Sequence, residues 1–443
     1  MNKRILLLTA ALTSLSACSY MPSWMGGATE EKPKLQGERK VALATSGQLK
    51  IDEASKNAKI TLPAVVPNTN WSQHSGEFTA ANGNLAGGGF DKETSVRAGN
   101  GNDFSHSLLP RPVVYGGVVF VMDAAGVISA HDAGNIDNIR WKSEVVADED
   151  EDEVIGGGLA VEGGVLYATT GQGQVAAINV ADGKKIWQKN FGVPMRGSPH
   201  VAGDAVIVIT IDSRTYALSS KSGDVLWEHR GIDETAAVMN SVSPAIAGDN
   251  ILVPYSSGEL FALSINGGRE LWSETLLRNK YNQASDVFTG IGGDPVVDGE
   301  VVFVTSNSGI TIAIDMINGK NIWQQQVGSL NTPWLAGNEL FLLTADNVLV
   351  DMVKQTGKIR WLTALDSYED PEGKRKPITW RGPVLIAGKL VVVSSNGKMV
   401  FVAATTGKIT ETKSIPSNIL TAPVIAGGRM YLLEQDATLY SFQ

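Results

Sequence analysis

The chain has 443 residues and a formal net charge of −9, with 37 Lys and Arg against 46 Asp and Glu. That balance is poor electrostatics for nucleic acid or for an anionic membrane surface. The single cysteine excludes an intrachain disulfide, and 48 Gly with 43% hydrophobic residues describe a folded, turn-rich body.

The front of the chain carries an address. Asn2, Lys3 and Arg4 form a short basic stretch, Ile5 to Leu15 is apolar apart from Thr9, Thr13 and Ser14, and Leu15-Ser16-Ala17-Cys18 follows. A basic start, a short apolar core and small residues at a cut site make an export signal, and the run is too short to span a bilayer. The cysteine at the cut site resembles a bacterial lipobox. That implies removal of residues 1–17 and lipidation of Cys18. Several acyl chains, at about 0.8 kcal/mol per buried methylene, anchor stably where one is marginal. Ser19, rather than Asp, is similar to the sorting position of lipoproteins sent to the outer membrane. Losing residues 1–17 removes Lys3 and Arg4 and no acid, so the mature chain is more acidic still. Residues 18–58 read as a flexible tether, because Pro22, Pro33, Gly26, Gly27 and the mixed charges Glu30, Glu31, Lys32 and Lys34 oppose a packed element.

From residue 59 onward one phrase repeats. Ala177 … Gly183 … Trp187 returns as Ala217 … Gly223 … Trp227, as Ala262 … Gly268 … Trp272 and as Ala313 … Gly319 … Trp323. Fixed-period self-similarity outranks other sequence signals. Each unit opens on Pro, apolar residues and Gly, as in Pro112 to Gly116, Pro199 to Gly203, Pro295 to Gly299 and Pro423 to Gly427. A β-branched run follows, then an alternating strand ending at the Ala slot, then the Trp strand. Four short strands per unit, about 45 residues long, predict an all-β, eight-bladed β-propeller of four-stranded antiparallel blades over 59–443. A seven-bladed ring with a frayed eighth unit is the alternative.

Two units depart from the phrase. The seventh has Glu411 where Trp is expected. The eighth starts at Pro423 and ends at Gln443, after its third strand. An unpaired third strand would expose a row of unsatisfied backbone groups. An N-terminal strand is therefore expected to complete the last blade and close the ring, with Ile60 to Trp71 as the candidate.

Ala, Gly and Trp read as scaffold. Function is sought instead in the connections from one Trp to the next Pro, which vary in length on one face of the ring. The connections 227–244 and 272–295 are among the long ones, and the Gly-rich stretch from Ser72 to Leu109 is placed in the same set. Asp148 to Glu153 is an unbroken acidic run; it reads as a solvated loop or as a docking patch for a basic partner, and lacks the spacing of a calcium loop. Trp334, Trp380 and Arg381 break the repeat near blade starts, where funnel lining and core packing are both open. The histidines His74, His106, His131, His200 and His229 are scattered without metal-ligand spacing. No nucleophile elbow, P-loop or dinucleotide fingerprint stands in a strand–helix context. The residues thus predict neither enzyme activity, nor cofactor, nor metal.

The Ala-apolar-Asp … Gly … Trp unit resembles that of pyrroloquinoline-quinone-type propellers, which include quinoprotein dehydrogenases and the BamB-type lipoproteins of outer-membrane β-barrel assembly. The chain is similar to the second group along most of its length. The dehydrogenases carry a vicinal cysteine pair at the quinone, and Cys18 stands alone. The resemblance implies a non-enzymatic scaffold lipoprotein, anchored in the outer membrane and facing the periplasm. Its partners would be BamA, other components of the machinery and outer-membrane protein precursors. A periplasmic quinone-dependent oxidoreductase and a binder of another envelope component are the alternatives. The family's partner-contacting stretches fall on Ala236-Ala237-Val238-Met239 and Ser285-Asp286-Val287-Phe288. The candidate partner-binding residues are therefore Val238, Met239, Asp286, Val287 and Phe288, with Arg381 added from the ring. The family's Arg in the first stretch and its second Asp in the other are absent here.

Overall fold

The computed structural model describes residues 49–101, 106–107, 110–145, 154–155, 157–195, 197–232, 242–276, 290–419 and 421–443. These residues form eight four-stranded antiparallel sheets, arranged as an eight-bladed β-propeller. Blades 1 to 7 cover 113–144, 157–190, 200–230, 245–275, 296–325, 334–364 and 380–414, and blade 8 covers 424–442 together with 93–97. Each runs from an inner strand at the channel to an outer strand at the rim. Second strands such as Val118–Met122 and Ala205–Ile209 are buried throughout, since neighbouring blades cover both faces.

The repeated residues stitch one blade to the next. The indole of Trp141 donates to the Val180 carbonyl at 2.8 Å, Trp187 to Ser220 at 2.9 Å, Trp227 to Ile265 at 2.8 Å, and Trp272 to Met316 at 2.8 Å. Trp323 and Trp361 repeat the bond to Lys354 and Ala404. Each acceptor lies in the turn that leads into the next blade's outer strand. The Gly of that turn is needed twice over. Gly223 has φ +73°, and a Cβ there would come 2.6 Å from the Trp187 ring. Opposite each Trp, the Ala slot leaves room: Ala177, Ala217, Ala262 and Ala313 are fully buried.

Where the phrase fails, other residues restore the contact. In blade 7 the aromatic changes strands: Phe401 holds the Ala slot and pairs directly with Glu411 in the Trp slot. Phe90 stacks on Phe401 with centroids 6.5 Å apart, and Lys413 bonds Asp91 at 2.6 Å. Between blades 8 and 1 the hydroxyl of Tyr431 donates to the Ala133 carbonyl at 3.1 Å, which is the stitch an indole makes elsewhere.

An N-terminal strand closes the ring, but it is Glu93–Arg97 and not Ile60 to Trp71. It pairs with Thr438–Phe442 from Glu93↔Phe442 to Arg97↔Thr438. Four of its five residues are exposed, so it carries no alternating pattern to betray it. Within Ile60 to Trp71, Pro63 and Pro67 have no N–H for a ladder. Residues 49–58 instead lie along blade 6, Ile60 and Leu62 pack against the largest core cluster, and Trp71 enters the channel.

Candidate functional site

The channel is occupied by the chain itself. The stretch from Asn68 to Leu85 meets the inner strand of every blade. Trp71 exchanges both backbone bonds with Val114 of blade 1, at 2.7 and 2.8 Å. The amide of Val161 in blade 2 donates to the Ser72 carbonyl, and that of Val201 in blade 3 to Gln73 Oε1. Ile246 of blade 4 donates to Phe78, and Val297 of blade 5 to Thr79. Trp334 of blade 6 donates its indole N–H to the Gly83 carbonyl at 2.7 Å. Leu85 bonds Leu385 and Ala387 of blade 7, and Asn68 bonds Ile425 and Gly427 of blade 8. Inner strand edges facing an open channel would leave amides and carbonyls to solvent, and here one segment satisfies them. This corrects the placement of Ser72 to Leu109 among the loops of one face: its first part fills the channel and Glu93–Arg97 closes the ring.

A polar cluster sits where this segment crosses the entries of blades 3 to 5. Asp294 accepts the Ser243 amide at 2.8 Å on Oδ1 and the Ser75 hydroxyl on Oδ2. His74 Nε2 lies 3.9 Å from the same Oδ2, and His74 Nδ1 lies 3.2 Å from Ser198 Oγ. Arg111 donates to the His74 carbonyl at 3.0 Å. Desolvation pushes Arg111 down to about 10, with the nearby Arg381 charge adding to the shift and Asp294 opposing it. Burial lowers His74, Asp294 pulls it back up, and Arg111 lowers it further. His200, edge-on to Phe78 at 6.0 Å, is driven by desolvation to about 4.

Ser198, His74 and Asp294 place a hydroxyl, an imidazole and a carboxylate in line. The chemistry stops there. The His–Asp separation exceeds hydrogen-bond length, and Ser198 is buried. The adjoining cavity, lined by Trp71, Ser75, Asn82, Arg111 and Trp334 among others, measures about 20 Å³, room for about one water molecule. The arrangement is a latch between the channel segment and the entries of three blades, through Ser198, Ser243 and Asp294. Two other described histidines are packed into blades: His131 bonds Ile136 and Ser129, and His229 bonds Tyr255. Among the described residues no group of three or more His, Cys, Asp or Glu could hold a metal.

Trp334 does both things left open for it. It is buried, and it lines the channel, stacked on Trp71 at 6.4 Å. Trp380 packs in the core, with its indole on the Asp366 carbonyl at 2.7 Å. Arg381 is partly buried at the start of the inner strand of blade 7, and desolvation lowers its pKa. Cys18, Val238, Met239, Asp286, Val287 and Phe288 lie outside the described residues, as does the run Asp148 to Glu153.

The frame of the two candidate loops is described. The first leaves at Ile232, whose amide donates to Glu259 Oε2 at 3.1 Å, and returns at the buried Val242. The second leaves at the buried Leu276 and returns at Gly290, held by Asn307 at 2.8 Å. Asp294 therefore sits at the returning end of the second loop and binds Ser243 at the returning end of the first. Nothing in the sequence marked Asp294; its position before Pro295 was the available signal.

The family described as outer membrane protein assembly factor BamB matches residues 124–363 and 367–443. The chain is 26% identical over 399 residues to the outer membrane protein assembly factor BamB of Escherichia coli (strain K12), covering 79% of this chain and 87% of that one. It is 24% identical over 356 residues to the protein of the same name from Yersinia pestis, with the same shares. The crystal structure of BamB from Moraxella catarrhalis superposes with a TM-score of 0.65 at 19% identity, over 79% of this chain and 100% of that one. A europium-containing methanol dehydrogenase superposes at 0.62 with 13% identity, over 82% and 89%, so the fold is shared with enzymes as well. Matched by its family over most of its length, the chain belongs to the outer membrane protein assembly factor BamB family.

Proposed function

We propose that this protein is a non-enzymatic scaffold of the outer-membrane β-barrel assembly machinery, lipid-anchored through Cys18 and facing the periplasm. The loops 233–241 and 277–289 would dock on the periplasmic part of BamA, with Val238, Met239, Asp286, Val287 and Phe288 as contacts. One observation carries the reading: two long neighbouring loops leave a rigid ring from ends coupled through Asp294. The filled channel points the same way, since the segment from Asn68 to Leu85 lies across the inner strands there. Residues 18–48 would serve as the tether, shorter than the expected 18–58 because 49–58 are held against blade 6.

The test is capture of the tagged lipoprotein from membranes in mild detergent. BamA in the eluate is the expected result, and its absence rejects the reading. Asp286→Arg should weaken that capture; unchanged capture would remove the loop assignment. The shared fold of the methanol dehydrogenase sustains a second reading, a quinone-dependent oxidoreductase. Tight binding of pyrroloquinoline quinone with calcium, or alcohol oxidation in their presence, would establish it.

A further inference from the structure

Asp294 draws the entries of blades 4 and 5 onto the channel segment with one buried negative charge. Across the channel, blades 6, 7, 8 and 1 meet the same segment around the cavity of about 20 Å³. Thr332 stands at the entry of blade 6, Gly382 in the inner strand of blade 7, Pro423 at the entry of blade 8 and Arg111 at that of blade 1. Trp71 and Asn82 supply the wall from the segment. Among the described residues that line this cavity, Arg111 alone carries a charge.

The partly buried guanidinium of Arg111 has donors to spare. Its Nη1 donates to the His74 carbonyl at 3.0 Å. A guanidinium has five N–H groups, and the rest of this one finds no acceptor among the described residues. Arg381, one residue before Gly382, adds a second positive charge that acts on Arg111. The carboxylate acting on Arg111 is that of Asp294, and both its oxygens already accept bonds, from Ser243 and Ser75. A cation drawn out of water without a full set of partners is costly, and a counter-ion beside it offsets that cost.

The polar neighbours narrow the choice of occupant. Both amide hydrogens of Asn82 are taken, by the Ser75 and Ala80 carbonyls at 2.6 and 3.3 Å. The Ser75 hydroxyl is committed to Asp294. The Thr332 hydroxyl oxygen accepts the Asp294 amide at 3.1 Å, and its own proton has no acceptor among the described residues. Pro333, Pro383 and Pro423 bring no backbone N–H to the wall. A guanidinium and a hydroxyl thus meet at the cavity as donors, which suits an anion. Carboxylate, sulfate and phosphate are too large, since the space holds about one water molecule.

We infer that this cavity binds a monatomic halide, chloride in nature, between the Arg111 guanidinium and the Thr332 hydroxyl. Arg111 holds the channel segment at His74 while it holds the ion. The halide therefore ties blades 6, 7, 8 and 1 to the segment, as Asp294 ties blades 4 and 5. The site is separate from the two docking loops and stands whether or not BamA co-purifies.

The probe is sodium chloride, added to the full chain in non-ionic detergent and sodium gluconate, with the chloride NMR line width as the readout. The excess line width should saturate, bromide should reverse it, and sodium sulfate at equal ionic strength should not. Arg111→Gln should weaken chloride binding about tenfold, as loss of a charge-assisted contact. Arg97→Gln, at an exposed arginine paired with Asp436, should leave it unchanged. Crystals of the parent grown in sodium bromide locate the ion without any variant, so the test survives if Arg111→Gln fails to fold. The anomalous peak is expected between Arg111 and Thr332. Water at that point with no anomalous signal would overturn the assignment. Displacement by sulfate, or a folded Arg111→Gln protein that binds chloride as the parent does, would overturn it as well.

Discussion

Asp294 and Ser243 join the ends of two neighbouring loops: the Ser243 amide donates to Asp294 Oδ1 at 2.8 Å, and the other carboxylate oxygen takes the Ser75 hydroxyl. One buried side chain thus fixes two loop ends to each other and to the segment in the channel.

Asp294→Ala should strand the buried amide and hydroxyl together. A cost of about 3 kcal/mol is expected, and about half of that for Asp294→Asn, which keeps an acceptor. Urea unfolding measures the loss. Hydrogen exchange should speed up at residues 242–244 and 290–294 in the same variant; unchanged exchange there would deny the coupling.

Ring closure gives a contrast between two segments. Val96 lies in the strand that pairs with Thr438–Phe442, whereas Val65 is 48% exposed outside any strand. Val96→Pro removes a ladder donor and should destabilise the ring by roughly 2–3 kcal/mol, while Val65→Ser should leave the melt unchanged. Equal melts for the two variants would contradict the assigned closing strand.

At the same junction, Tyr431→Phe deletes the one hydroxyl that reaches Ala133. A loss of about 1 kcal/mol is expected. Trp227→Ala, which opens a cavity and breaks the bond to Ile265, should cost roughly 3–5 kcal/mol. Thermal melts of both variants rank the two stitches.

Stability should fall in mild acid through His200. Its folded pKa is depressed by burial to about 4, from 6.5. A depressed imidazole binds its proton less readily folded than unfolded, so its contribution is whole above 6.5 and is lost as pH falls toward 4. The loss is on the order of 3 kcal/mol. His74, also lowered by burial, acts in the same direction. His200→Leu should flatten the stability profile between pH 6.5 and 4, measured by urea unfolding. A slope as steep as the parent's would remove His200 from the account.

Blade 6 should respond at the alkaline end. Asp351 replaces the buried Ala of the repeat, and desolvation with the neighbouring Glu339 charge pushes it up to about 9. A raised carboxyl binds its proton more readily folded than unfolded, so its contribution is whole below 3.8 and is lost as pH rises toward 9. Asp351→Asn should therefore gain on the parent as pH rises across that window. A constant difference between the two melts would show that Asp351 does not titrate there.

The fold was largely legible because each repeat encodes its own burial. The Gly before Trp227 and the Ala opposite it report local packing, and local packing is what sequence periodicity records. One fault was visible too: Glu411 in a Trp slot marks a place where the structure changes its solution. The closing strand escaped because Glu93–Arg97 is exposed on both faces and leaves no alternation. The site was less legible. The loops stood out by length, but Asp294 gains its meaning from Ser243 and Ser75, which are remote from it in the chain.

The sequence by itself determined the blade, its count and the residues that join neighbours, since those contacts repeat at a fixed spacing. Tertiary structure alone decided what the first described residues do. Trp71 pairs with Val114, Asn68 with Gly427 and Leu85 with Leu385, because eight inner strand edges meet around one axis and their backbone groups must be satisfied there. No local pattern can announce a partner that exists only once the ring has closed.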